Sequence, residues 1–297
     1  MPVHIKNKQI LTPMTETLDK YDSALEWLNN NGFNVNPTRY NAYRKQLVVM
    51  IESWGEQTFR EIAEDKQCSS ALVETQHLIE IKEKLESIKC DGFMETIQKT
   101  LKGQVHYSDE KKNASSPRDY AFELYMARYF QRSGYELSFD TIADFNAFNQ
   151  VDSVFIECKR PRTEDAIGKN IEKALKQSKK RFKDNCTKHQ KGLAAIDITS
   201  LLFPNNEILI TEDIREHSRL AMLADQKTAP YFKSFFDSYG DDCISIITYS
   251  CIPFIDIKNE MYGIYDRCFS IPIYKPNTES EAVFFRLNQA LQSGVGK

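Results

Sequence analysis

The chain has 297 residues, a formal charge of -3, 41% hydrophobic and 27% charged side chains, a balance that excludes disordered, fibrous and collagen-like chains. It also excludes a protein that binds nucleic acid through positive charge spread over its whole surface. The length exceeds that of an average domain, so two domains, or one large domain with an appended part, are expected.

In chain order, apolar residues at three- and four-residue intervals predict helices in YDSALEWLNNNGF (21–33), RYNAYRKQLVVMIESW (39–54), EQTFREIAED (56–65), ALVETQHLIEIKEKLESI (71–88) and FMETIQKTLKG (93–103). Residues 1–112 thus read as an all-helical N-terminal region. The polar stretch GQVHYSDEKKNASSPRD (103–119) reads as a linker, and residues 113–297 as a second domain. That domain opens with a helix from about 118 to 133, closed by Gly134. Short strands follow in YELSFDT, ADFNAFN and SVFIECK, then a basic helix at about 166–183. LAAIDIT (193–199) has the unbroken apolar character of a strand buried on both faces, which predicts an α/β core around a central sheet. Helices at 211–225 and 230–238, strands at CISIITYS and CFSIPIY, and a helix near 279–292 complete the domain.

No apolar stretch approaches the roughly 20 residues that cross a bilayer, and MPVHIKNKQILTPM lacks the apolar segment of a secretory signal, so a cytoplasmic location without membrane contact is expected. Seven scattered cysteines with no CxxC pair suit a reducing compartment, and Cys186 with His189 lacks the second pair that zinc requires.

Alternation along SVFIECK sends Glu157 and Lys159 to one face of the strand and Ile156 and Cys158 to the other. A hairpin through AFNQVD returns the chain so that Asp144 lies beside Glu157. Two convergent carboxylates repel unless a hard cation sits between them, which predicts Mg²⁺, with Mn²⁺ as a substitute, held by Asp144, Glu157 and the backbone carbonyl of Cys158. Such an ion lowers the pKa of bound water and offsets charge growing on a phosphate. Lys159, one step along the same face, is placed to hold that water or neutralise the oxyanion. Glu123, at the edge of the apolar stripe of the helix at 118–133, pairs either with a basic side chain or with metal-bound water. Asn170, Ala174, Gln177 and Arg181 share one face of the basic helix.

Between Glu157 and Lys191 twelve Lys and Arg residues stand against five acids. Arg160, Arg162, Lys169, Asn170, Lys173, Lys180 and Arg181 are therefore expected to contact nucleic-acid phosphates. The acid-x-Lys spacing also occurs at Glu64, Glu80, Asp109 and Asp256, the last with Asp242 in the place of Asp144. Only that last copy lies in a strand-like stretch, and no basic helix follows it.

The runs FELYMARYFQRSG, AD, ECKRP, NIEKALKQSKKRF and GLAAIDIT, over about residues 118–200, resemble the PD-(D/E)XK nuclease superfamily. The resemblance implies a restriction-endonuclease-like core, a central mixed sheet flanked by helices. It implies Mg²⁺-dependent hydrolysis of DNA phosphodiester bonds, with Glu123, Asp144, Glu157, Lys159 and Gln177 as the site. Ala143 stands where the family name has proline, a residue that carries no chemistry. An endonuclease of restriction or phage defence is the leading expectation. The alternatives are a repair exonuclease or junction resolvase, and a nuclease-like module that binds nucleic acid or protein without turnover. A homodimer or a partner docked on the N-terminal helices would suit any of these.

Overall fold

The computed structural model describes residues 3–11, 13–53, 59–106, 116–140, 143–182, 187–202, 208–211, 226, 230, 235–256 and 261–294. Among the described residues eight strands form one mixed sheet. They are β1 (Val3–Leu11), β2 (Glu136–Ser138), β3 (Phe145–Phe148), β4 (Asp152–Lys159), β5 (His189–Asp197), β6 (Leu209–Thr211), β7 (Cys243–Asp256) and β8 (Met261–Pro272). The order is β1-β8-β7-β5-β4-β3-β2, with β6 beside β7. The centre, β4-β5-β7, is parallel, and both flanks are antiparallel. Parallel neighbours need a crossover, and α7 (Ala166–Lys179) supplies it between β4 and β5.

Before the linker stand α1 (Met14–Asn30), α2 (Arg39–Glu52), α3 (Phe59–Glu64), α4 (Lys66–Leu85) and α5 (Asp91–Thr100). After it come α6 (Pro117–Arg132), then α7, a short α8 (Thr199–Leu202) and α9 (Glu279–Ser293). The protein is therefore mixed α/β with N-terminal helices. The N-terminal region is not all helical, however, because β1 pairs antiparallel with β8 and occupies the outer edge of the sheet. An unpaired β8 would present a row of open backbone groups, and β1 satisfies them. The helix expected at 211–225 and most of the linker lie outside the described residues, as do Cys186, Ile257 and Lys258. Of the stretch 230–238, the described residues 230 and 235–238 are helical.

Alternate residues of β5 separate two apolar layers. Leu193 and Ala195 join Phe122, Tyr125 and Met126 of α6, whereas Ala194 and Ile196 join Ile167, Ile171, Ala174 and Leu175 of α7. The two helices thus cover opposite faces of the sheet, as a strand buried on both sides requires. Gly192 makes the second contact close, since a Cβ there would meet Ser178 Oγ at 2.3 Å and Cys243 Sγ at 2.8 Å.

Side chains from both sides of the linker pack in one continuous core that runs from Tyr21 and Leu72 to Phe145 and Leu287. Two buried polar clusters cross it. Glu74 of α4 accepts from Arg39 of α2 at 3.2 Å and from Arg118 of α6 at 2.6 Å. Asp266 of β8 accepts from Tyr125, Tyr129 and Arg128 of α6 at 2.8, 3.0 and 3.1 Å. Buried charge is tolerated because partners of opposite sign or hydrogen-bond donors surround it. The six described cysteines are free thiols. No described helix is long and apolar enough to cross a membrane.

Candidate active site

The β3–β4 hairpin pairs Phe145 with Ile156, so Asp144 stands just beyond the ladder, next to Glu157. Its Oδ2 accepts the backbone N–H of Cys158 at 2.6 Å, which fixes the carboxylate against the end of β4. Lys159 Nζ donates to Glu157 Oε2 at 3.1 Å and lies 3.7 Å from Asp144 Oδ2. The three charged heads converge, and the Cys158 side chain is buried on the other face of the strand.

Asp144, Cys158 and Lys159 line a cavity of about 510 Å³ at the carboxyl end of β4, and Glu157 lies outside that lining, joined to it through Lys159. Helix α6 contributes Asp119, Tyr120 and Glu123 to its wall, and α7 contributes Asn170 and Lys173. Both helices reach past the end of the strand from opposite faces, and the space between them becomes the cleft. Among the described residues the Glu123 carboxyl has no hydrogen bond or ion pair, and it opens into this space.

The electrostatics follow from that crowding. Burial, and then repulsion from Asp144, hold the Glu123 carboxyl well above the ordinary carboxylate range. The same two causes, in the same order, push Glu157 up. Burial pushes Asp144 up as well, against the pull of Lys159 and of the Cys158 N–H. Burial alone would lower Lys159, but Asp144 and Glu157 outweigh it and hold the ammonium above its ordinary value. Three acids share one ammonium, with Arg181 Nε 3.6 Å from Glu157 Oε1. Glu157 Oε1 and Gln177 Oε1 are buried without a hydrogen bond. The site is short of positive charge and has acceptor oxygens to spare, which fits a hard cation with oxygen ligands. No group of three or more His, Cys, Asp or Glu forms a ready metal cage among the described residues. Mg²⁺ suits such a place because it is commonly bound through one or two carboxylates and keeps several waters, whereas structural zinc takes four protein ligands.

Of the residues expected to contact phosphate, Lys169, Lys173 and Lys180 are exposed. Asn170 lines the cavity and gives its side-chain N–H to the carbonyl of Ala166. Arg181 follows the end of α7 and turns toward Glu157. Arg160 is buried and bridges Asp197 at 2.8 Å and Asp119 at 3.2 Å, so it serves as a structural tie. Arg162 also reaches Asp119, at 2.9 Å, from the cavity wall. Asp119, Asp197 and Tyr120 were not picked out by sequence reasoning. Asp119 had a readable signal, Ser-x-x-Asp ahead of an apolar run, and its Oδ2 accepts the Ser116 N–H at 2.9 Å.

The rival places differ. Asp242 is held by Lys179 at 2.5 Å, and Asp256 ends β7 with the rest of its triplet outside the described residues. His189 pairs with Glu279. The chain matches no family model, no curated protein and no solved structure.

Proposed function

We propose that this protein is a Mg²⁺-dependent deoxyribonuclease with a PD-(D/E)XK centre on a restriction-endonuclease-like core, an endonuclease of the restriction or phage-defence kind. One observation carries the proposal: the heads of Asp144, Glu157 and Lys159 meet at the end of β4, beside a cavity that Asp144, Lys159 and Glu123 line. The order helix, hairpin, third strand, crossover helix and parallel strand supports it, because that order brings α6 and α7 to the same strand end.

Asp144, Glu157 and the Cys158 carbonyl would hold the ion, whose chemistry is to acidify water and offset phosphate charge. Lys159, kept protonated by its two carboxylate neighbours, neutralises the oxyanion that grows on phosphorus. Glu123 would accept a hydrogen bond from the attacking water, and its raised pKa makes it a stronger base toward that water's proton. Gln177, with a free buried carbonyl oxygen, orients a second water or the substrate.

The test uses circular single-stranded and duplex DNA with Mg²⁺. Asp144→Asn, Glu157→Gln and Lys159→Met are each expected to slow cleavage by roughly a hundredfold or more. Mg²⁺ or Mn²⁺ should raise the melting temperature of the parent and not that of Asp144→Asn. Variants that cut as fast as the parent would overturn the assignment.

A further inference from the structure

The acids at the end of β4 are recessed. Glu157 is 1% exposed, and the Lys159 side chain 17%. Helix α6 stands on one side and α7 on the other, with Arg162 and Lys173 on the wall. A phosphodiester must therefore enter the cavity to meet Asp144 and Lys159. A duplex offers its phosphates on a stiff, convex surface, which fits poorly into a recess between two helices. A lone strand fits better, because without a paired partner its backbone bends and its bases can be splayed out.

The dimensions and the lining point the same way. About 510 Å³ lies within the usual range of pockets that enclose a single small ligand, and so suits one nucleotide unit. Tyr120 is a half-buried aromatic on this wall, one turn before Glu123, with the Lys99 ammonium 5.2 Å from its ring centroid. The other aromatic there, Phe122, is 4% exposed and packs on Tyr249. Cationic walls combined with an aromatic platform are how unpaired strands are held without sequence readout, each base stacking on a ring while the backbone follows the charge.

We infer that the cavity takes a single unpaired DNA strand, with a base stacked on Tyr120 and its neighbouring phosphates against Arg162 and Lys173. The inference rests on the nuclease reading and specifies its substrate. Arg162 leaves part of its pairing with Asp119 as phosphate enters, and Lys173, exposed on α7, meets the strand on its way in.

The experiment compares a circular single strand with a relaxed, covalently closed duplex of the same sequence, both with Mg²⁺. The single strand is expected to be cut at least about tenfold faster. Tyr120→Ala should raise KM on the single strand about tenfold while kcat changes little, and Tyr120→Phe should keep the parent KM, because stacking needs the ring and not the hydroxyl. A duplex cut as fast as the single strand overturns this inference and leaves the nuclease reading standing. An unchanged KM in Tyr120→Ala overturns it too. If neither circle is cut, the nuclease reading falls and the inference falls with it.

Discussion

Glu123 stands in the cavity with a carboxyl that binds its proton more tightly in the folded chain than in the unfolded one, because of burial and then Asp144. Such a group contributes stability below its unfolded pKa and loses that contribution as pH rises through the folded value. Above the unfolded value the folded site therefore costs stability that a neutral isostere would restore. Glu123→Gln, without divalent ions, should be more stable than the parent above about pH 7, with the gain shrinking toward about pH 4. Urea titrations at the two pH values check this, and a gain that does not depend on pH would sink it. The convergence of Asp144, Glu157 and Lys159 was legible because alternation and one hairpin are local geometry. The pairing of Arg160 with Asp197 was not legible. It depends on β4 and β5 ending side by side, and nothing local to ECKRP encodes that neighbour.

At the level of elements, α6 and β4 could be read from the sequence to within a residue, and α7 from its start, with its end placed four residues too late. Each carries an unbroken pattern bounded by a stop: Gly134 after α6, Pro161 after β4 and the polar turn after α7. The strand β1 escaped because VHIKNKQIL interrupts its alternation with Lys-Asn-Lys-Gln, and because its pairing partner β8 lies about 250 positions away, where only the complete sheet reveals it. The seat of α7 depends on Gly192. A methyl there would lie 3.0 Å from Ser178 Cβ as well as 2.3 Å from its Oγ, so turning the hydroxyl aside would not clear it. Gly192→Ala should cost about 1–3 kcal/mol by overpacking. By lifting the helix that carries Asn170, Lys173 and Gln177, it should also slow DNA cleavage more than that loss of stability accounts for. Denaturant melts and activity measured on the folded fraction separate the two effects. A variant as stable as the parent would show that the helix is free to shift.

Across the whole molecule, the N-terminal helices and the sheet share one core, and Glu74 ties them. Burial alone would raise its carboxyl, but Arg39 and Arg118 outweigh it and hold the pKa at about 2, below the ordinary 4.5. A depressed value contributes stability above the unfolded pKa and loses it as pH falls from 4.5 through about 2. Glu74→Gln leaves two buried guanidinium groups without their counter-ion and should cost roughly 3–5 kcal/mol at neutral pH. It should also flatten the acid limb of the stability curve, and unfolding followed from pH 7 downward reads both effects. An acid limb as steep as the parent's would place that dependence on other groups.

Asp266, close to the end of the sequence, accepts hydrogen bonds from Tyr125, Tyr129 and Arg128 on the helix that carries Glu123. While the chain is being synthesised, α6 emerges long before this anchor exists, and until β8 has been made its ties to Glu74 and to the end of β4 hold it without Asp266. The order of translation thus delays the site: a growing chain has Glu123, Asp144 and Glu157 before the buried anchor that fixes α6.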